Sequence, residues 1–188
     1  MGTGTIVILV IVIIIAILAI WVISAYNGFI RLRNLVEEAF ATMDVYLKKR
    51  YDLIPNLVET VKGYAAHEKT TLERVVQARN MAADAKTMEG RIQGENMLQG
   101  TLRSLFAIAE AYPDLKANQN FLDLQGQLQR IEDDIANSRK YYNAVVKEFN
   151  TKTESFPSNI IAGIFNFTRK TMFEVNDEAE REAVKVHF

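Results

Sequence analysis

His67 and Glu68 stand side by side at the end of RYDLIPNLVETVKGYAAHE, residues 50–68. On a helix that dipeptide is half of H-E-x-x-H, in which two histidines one turn apart hold zinc and the glutamate serves as base. The second histidine is missing, because position 71 is Thr. A di-iron centre in a helical bundle would instead need Glu-x-x-His on two helices. Position 64, three before His67, is Tyr, and position 184, three before His187, is Val. These are the only two histidines, and cysteine is absent, which removes thiolate ligands, cysteine nucleophiles and disulfides together. Gly90, Gly94 and Gly100 follow no strand and precede no Lys-Ser/Thr pair, so they do not make a phosphate loop. Without a nucleophile, a base and a group to orient it, the residues specify no catalytic set, no cofactor and no metal ligands.

The elements that would position such residues divide sharply by charge. The chain has 22 basic and 23 acidic residues, a net charge of -1, so no global field draws nucleic acid. None of these charges falls in residues 1–30. Residues 6–23 read IVILVIVIIIAILAIWVI, with no polar side chain. As a helix they rise about 27 Å, close to the hydrocarbon thickness of a bilayer. A secretory signal fits less well, since no basic segment precedes the run and its length exceeds the usual ~7–15 residues. Arg31, Arg33, Lys48, Lys49 and Arg50 follow the span and no basic residue precedes it. This predicts a single-pass anchor in the cytoplasmic membrane, with the N-terminus outside and the following domain in the cytoplasm. Trp21 and Tyr26 sit where an interface belt would, and Asn27-Gly28 is a turn signal that could break the helix at the membrane surface.

Beyond the span the pattern is helical throughout residues 27–156. Ile30, Val36, Phe40, Met43 and Leu47 define a first apolar stripe. Asp52 is read as the cap of a second helix with Pro55 in its first turn, where a missing N–H costs little. Its stripe runs from Ile54 to Ala83 and contains two charges, Glu68 and Arg79. These are the candidate buried polar positions: Glu68 is expected to meet a basic residue of another helix, and Gly63 to let two helices approach. Gly90, Gly94 and Gly100 are expected to loosen the chain before a shorter helix that Pro113 ends. Leu124, Leu128, Ile131, Ile135, Ser138, Tyr142, Val145, Phe149, Lys152 and Phe156 then alternate spacings of four and three until Pro157. The EDD at 132–134 on that helix reads as a solvated face. The predicted fold is all-α, a single N-terminal transmembrane helix continuing into an antiparallel up-and-down bundle of about four long helices. The predicted domains are 1–26, 27–156 and 157–188.

The segment after Pro157 is apolar and aromatic, with Phe165, Phe167, Met172 and Phe173, then acidic, and it closes on Val184, Val186 and Phe188. These seven residues are the candidate interaction surface. They either cap the bundle, meet a second subunit, or meet the membrane, where Arg169 and Lys170 would face anionic headgroups.

The motifs RN.V.EA at 33–39, LKKRYDLIPNLVETVKGYAAHE at 47–68, AYPDLKANQNFLDLQ at 111–125, IA.SR.YYN..V..FN at 135–150 and FPSN at 156–159 resemble the LemA family over nearly the whole chain. The resemblance implies a membrane-anchored helical bundle with no catalytic residues to carry over. It also implies links to membrane metalloproteases or magnetosome membranes as themes. Val184 stands where the family tends to have proline. The expected function is a non-enzymatic scaffold at the bilayer that self-associates. The alternatives are a partner or regulator of a membrane protease, or a metal-binding bundle built on Glu68.

Overall fold

The computed structural model describes residues 2–174, so Val184, Val186 and Phe188 lie outside the described residues. Among the described residues the chain is all-α, with six helices and no strand. They are α1 (Thr3–Lys62), α2 (Lys69–Ala83), α3 (Met88–Ala111), α4 (Pro113–Lys116), α5 (Gln119–Glu154) and α6 (Ser158–Ile164). Four are long, as the periodicity predicted, but two boundaries differ from the sequence reading.

The first difference is at Pro55, which lies inside α1. No helix begins at Asp52; α1 continues to Lys62 and the turn falls at residues 63–68. An interior proline cannot donate to the carbonyl four residues back, here that of Tyr51. Arg79 Nε donates to that carbonyl at 3.2 Å instead. Burial of Ile54, Leu57, Val58 and Val61 on either side of the proline holds the helix together. Gly63 is accordingly a turn residue, and a Cβ there would meet only the carbonyls of its own preceding turn. The expected close approach is found elsewhere, at Gly94.

The second difference is at Gly90, Gly94 and Gly100, which lie within α3 rather than loosening it. Thr87 caps this helix by accepting from the Gly90 N–H at 3.1 Å. A Cβ at Gly94 would sit 2.6 Å from Ala82 Cα, so the missing side chain is what lets α2 and α3 pack backbone to backbone. Helix α5 begins as the spacing predicted, with the Asn118 side chain accepting from Phe121 N–H at 3.0 Å.

The chain packs as two compact units. One, the anchor unit, comprises Met1–Ala41 and Lys140–Met172. Residues 6–20 of its α1 are bare, and α1 carries an apolar 18-residue stretch near its N-terminus, none of it buried, long enough to cross a membrane. The helix does not break at Asn27-Gly28. Its core is Phe29, Leu32, Val36 and Ala39 against Tyr142, Val145, Val146 and Phe149, with Ile161 and Ala162 of α6. The true stripe is thus one residue off the predicted Ile30 and Phe40, which are half-buried. Phe29 stacks on Phe167 at 4.7 Å and meets Phe149 edge-on at 6.1 Å. After α6 the chain lies on α5, held by Asn150, which bonds both the N–H (2.8 Å) and the carbonyl (2.9 Å) of Lys170. The Tyr142 hydroxyl adds a bond to the Thr171 carbonyl at 2.9 Å.

The other, the network unit, comprises Thr42–Arg139 with Phe173 and Glu174. Its core runs from Met43 and Leu47 of α1 through Leu72, Val75 and Ala78 of α2 and Leu98, Leu102 and Leu105 of α3 to Phe121, Leu128 and Ile135 of α5.

Candidate functional site

The least expected feature of the network unit is a charged group at the centre of its apolar core. Arg50 follows Leu47 at the spacing of the α1 stripe and is only 3 % exposed. Its Nη1 donates to both carboxylate oxygens of Glu132 on α5, at 2.9 Å each. Its Nη2 is paired with Glu95 of α3, a carboxylate equally buried. Glu95 also accepts from the Tyr51 hydroxyl. Arg91, one turn before Glu95, pairs with Asp44 of α1. Arg79 of α2 completes the set through the Tyr51 carbonyl and through Asn80 Oδ1 at 3.1 Å. Three guanidiniums face three carboxylates, so the network is neutral as a whole, and every helix that lines this core contributes to it.

Such an arrangement fixes register more than it adds stability, because desolvating the ions offsets most of their attraction. It offers little to a reaction. Both carboxylates that reach Arg50 are occupied by it, and Tyr51 is not poised to ionise: burial raises its pKa above the usual phenol range. The nearby Arg50, Arg91 and Arg79 oppose that rise and Asp44 adds to it. Among the described residues no three His, Asp or Glu side chains gather closely enough to hold a metal ion.

A groove of about 470 Å³ opens beside the network, lined by Gln99, Arg103 and Phe106 of α3 and by Gln129, Glu132 and Arg139 of α5. Glu132 lines it while paired to Arg50, so the EDD stretch is not a uniformly solvated face. A second, more apolar depression of about 580 Å³ lies along α2 and the end of α1. Val58, Ala66, Leu72 and Val76 form its floor, and Glu59, Lys62, Lys69 and Glu73 its rim.

Of the polar positions singled out in the sequence, Arg79 is half-buried and joins the network through a backbone carbonyl. Glu68 is half-buried at the N-cap of α2, makes no side-chain capping bond, and forms no ion pair among the described residues. His67 is exposed. The members that sequence reasoning missed are Arg50, Glu95 and Glu132, together with Tyr51 and the Arg91–Asp44 pair. Glu95 was within reach, since it precedes Leu98, Leu102 and Leu105 at the same helical spacing. Arg50 was read only as one of the basic residues flanking the span. Of the proposed interaction residues, Phe173 is buried, Phe167 and Met172 are half-buried and Phe165 is exposed.

The LemA family model matches residues 39–188, a region that begins after the apolar span. Protein LemA of Metamycoplasma hominis is 24% identical over 155 residues, covering 80% of this chain and 69% of that protein. Magnetosome protein MamQ 2 of Paramagnetospirillum magneticum is 25% identical over 175 residues, and Magnetosome protein MamQ of Magnetospirillum gryphiswaldense is 24% identical over 174. In both cases the match covers 79% of this chain and 64% of the relative. The chain therefore spans about two thirds of the length of these curated relatives.

Proposed function

Because the chain belongs to the LemA family, we propose that it is a membrane-anchored, non-enzymatic scaffold that self-associates through its network unit. The observation that carries this reading is the uninterrupted passage of α1 from a bare apolar stretch into a packed helical core, with no break at Asn27-Gly28. An anchor that continues as one helix into the packed core ties that core to the membrane without a linker, which suits a scaffold. The neutral network, in which Arg50 holds both carboxylates that reach it, supports a body built for shape rather than turnover. The apolar depression floored by Val58, Ala66, Leu72 and Val76 supports self-association, since its rim carries both signs of charge and can therefore match a second copy of itself. Basic residues after the span favour a cytoplasmic body in a bacterial cytoplasmic membrane. Relatives that carry the magnetosome name fit a role in organising a membrane surface.

The test is the mass of the full-length protein in detergent across a wide concentration range. Self-association predicts a defined oligomer that Val76→Glu weakens. A strict monomer at every concentration overturns it.

A further inference from the structure

Phe156 lies two residues beyond the end of α5, seven after the buried Phe149, and it is 82 % exposed. It has company. On α6, Ile161 and Ala162 are buried, while Ile160 and Ile164, four apart and so on one face, are 50 % and 65 % exposed. Phe165 follows at 45 %. Four large apolar side chains within ten residues thus face outward from a segment whose other side is packed.

The position of this face relative to the span says what covers it. The Phe165 ring lies 4.7 Å from that of Tyr26 and the Phe167 ring 5.8 Å from it. Tyr26 is only three residues beyond Ile23, where the apolar run ends, a rise of about 4.5 Å. The exposure of α1 changes at the same level: residues 3–20 of it are bare, but Trp21, Val22 and Ala25 are half-buried. Phe165 and Phe167 thus meet α1 about one helical turn beyond the end of the apolar run. On the same unit Arg31, Lys147 and Lys152 line a depression with Ser155 and Ser158, three cations against the single carboxylate of Glu148.

We infer that residues 156–165 are a second membrane contact, a foot whose Phe156, Ile160, Ile164 and Phe165 lie in the bilayer interface beside the span. An apolar face flanked by cations at the depth of the aromatic belt has the chemistry of an interfacial segment over anionic lipid. A second protein copy on this face would have to enter the same interface. The inference rests on reading α1 as a membrane anchor.

The chain has no cysteine, so single cysteines can be placed and labelled uniquely. Ile160→Cys, Ile164→Cys, Ile13→Cys in the span and Lys140→Cys at an exposed position of α5 outside that depression would each carry an environment-sensitive fluorophore, with full-length protein in phosphatidylcholine/phosphatidylglycerol vesicles. Lipids bearing nitroxides at shallow or deep positions serve as quenchers. The expected result is blue-shifted emission at 160 and 164, quenched several-fold more by shallow nitroxides than the label at 140, with the label at 13 quenched from the deep position. Labels at 160 and 164 that emit as in water, with 13 in the membrane, overturn the foot and leave the anchor standing. A label at 13 that stays in water overturns the anchor and the foot with it. Blue-shifted emission at 160 and 164 without lipid quenching means that protein covers the face, and also overturns the foot.

Discussion

The two compact units solve the same problem, holding antiparallel helices in one register, with opposite chemistry. The anchor unit uses interlocked aromatic rings and neutral hydrogen bonds from Asn150 and Tyr142 to backbone. The network unit places a nearly water-free Arg50 between two carboxylates drawn from different helices. The contrast teaches where specificity is needed. Rings pack in many registers, and a unit of two long helices and one short one has few to choose from. Four helices contributing to one core have many more alternatives, and a single guanidinium with defined partners rejects those that leave its charges unpaired.

The comparison breaks most decisively at Arg50. Arg50→Met leaves two carboxylates without their cation and is expected to cost about 3–5 kcal/mol. Denaturant unfolding of the full-length protein in detergent measures this, and a loss below ~1 kcal/mol would show the network to be incidental. Adding Glu95→Leu to that variant should recover part of the loss, because an apolar replacement of the pair removes the stranded charge.

Next in size is the anchor unit's neutral counterpart. Asn150→Ala strands the Lys170 N–H and carbonyl and should cost about 1–3 kcal/mol. Unlike the Arg50 effect, it should be insensitive to added salt.

The glycines within α3 sharpen the picture of the network unit alone. Gly94→Ala drives a methyl into the Ala82 backbone and should destabilise by about 1–3 kcal/mol. Gly100→Ala meets nothing within 4 Å and should stabilise by about 0.4–1 kcal/mol. Equal effects at the two positions would remove the close approach as an explanation.

The smallest effect is on pH dependence, and each unit has one reporter. Burial raises the pKa of both Tyr51 and Tyr142. Below about pH 10 both phenols are protonated whether the chain is folded or not, so nothing is lost there. Above it the unfolded chain releases its protons while the folded chain retains them, and stability falls as pH rises. Tyr51→Phe and Tyr142→Phe should each flatten that fall, measured as melting temperature between pH 9 and 11. An unchanged slope in both would count against the burial of these hydroxyls.

The existence and number of the long helices were legible because 3.6-residue periodicity records burial directly, and the apolar span was legible because an unbroken run without a polar side chain stands apart from everything after it. The helix break was misplaced at Asp52 because Pro55 carries a strong local signal, whereas the residue that overrides it, Arg79, is remote in the chain. The glycines of α3 misled for the same reason: their cost is local and their benefit, contact with Ala82, is not. Glu95 stood on an apolar stripe and was readable as a buried charge. Arg50 and Glu132 were not, since each sits among other charged residues and only the third dimension tells a paired ion from a solvated one.

Pro55 carries one more implication, and it concerns the order of events at the ribosome. The carbonyl that this proline leaves without an N–H is met by a side chain 28 residues further on, so α1 beyond Tyr51 is finished by a part of the chain made later. A nascent chain ending at Lys62 lacks that partner, and its last turns fray or bend at the proline.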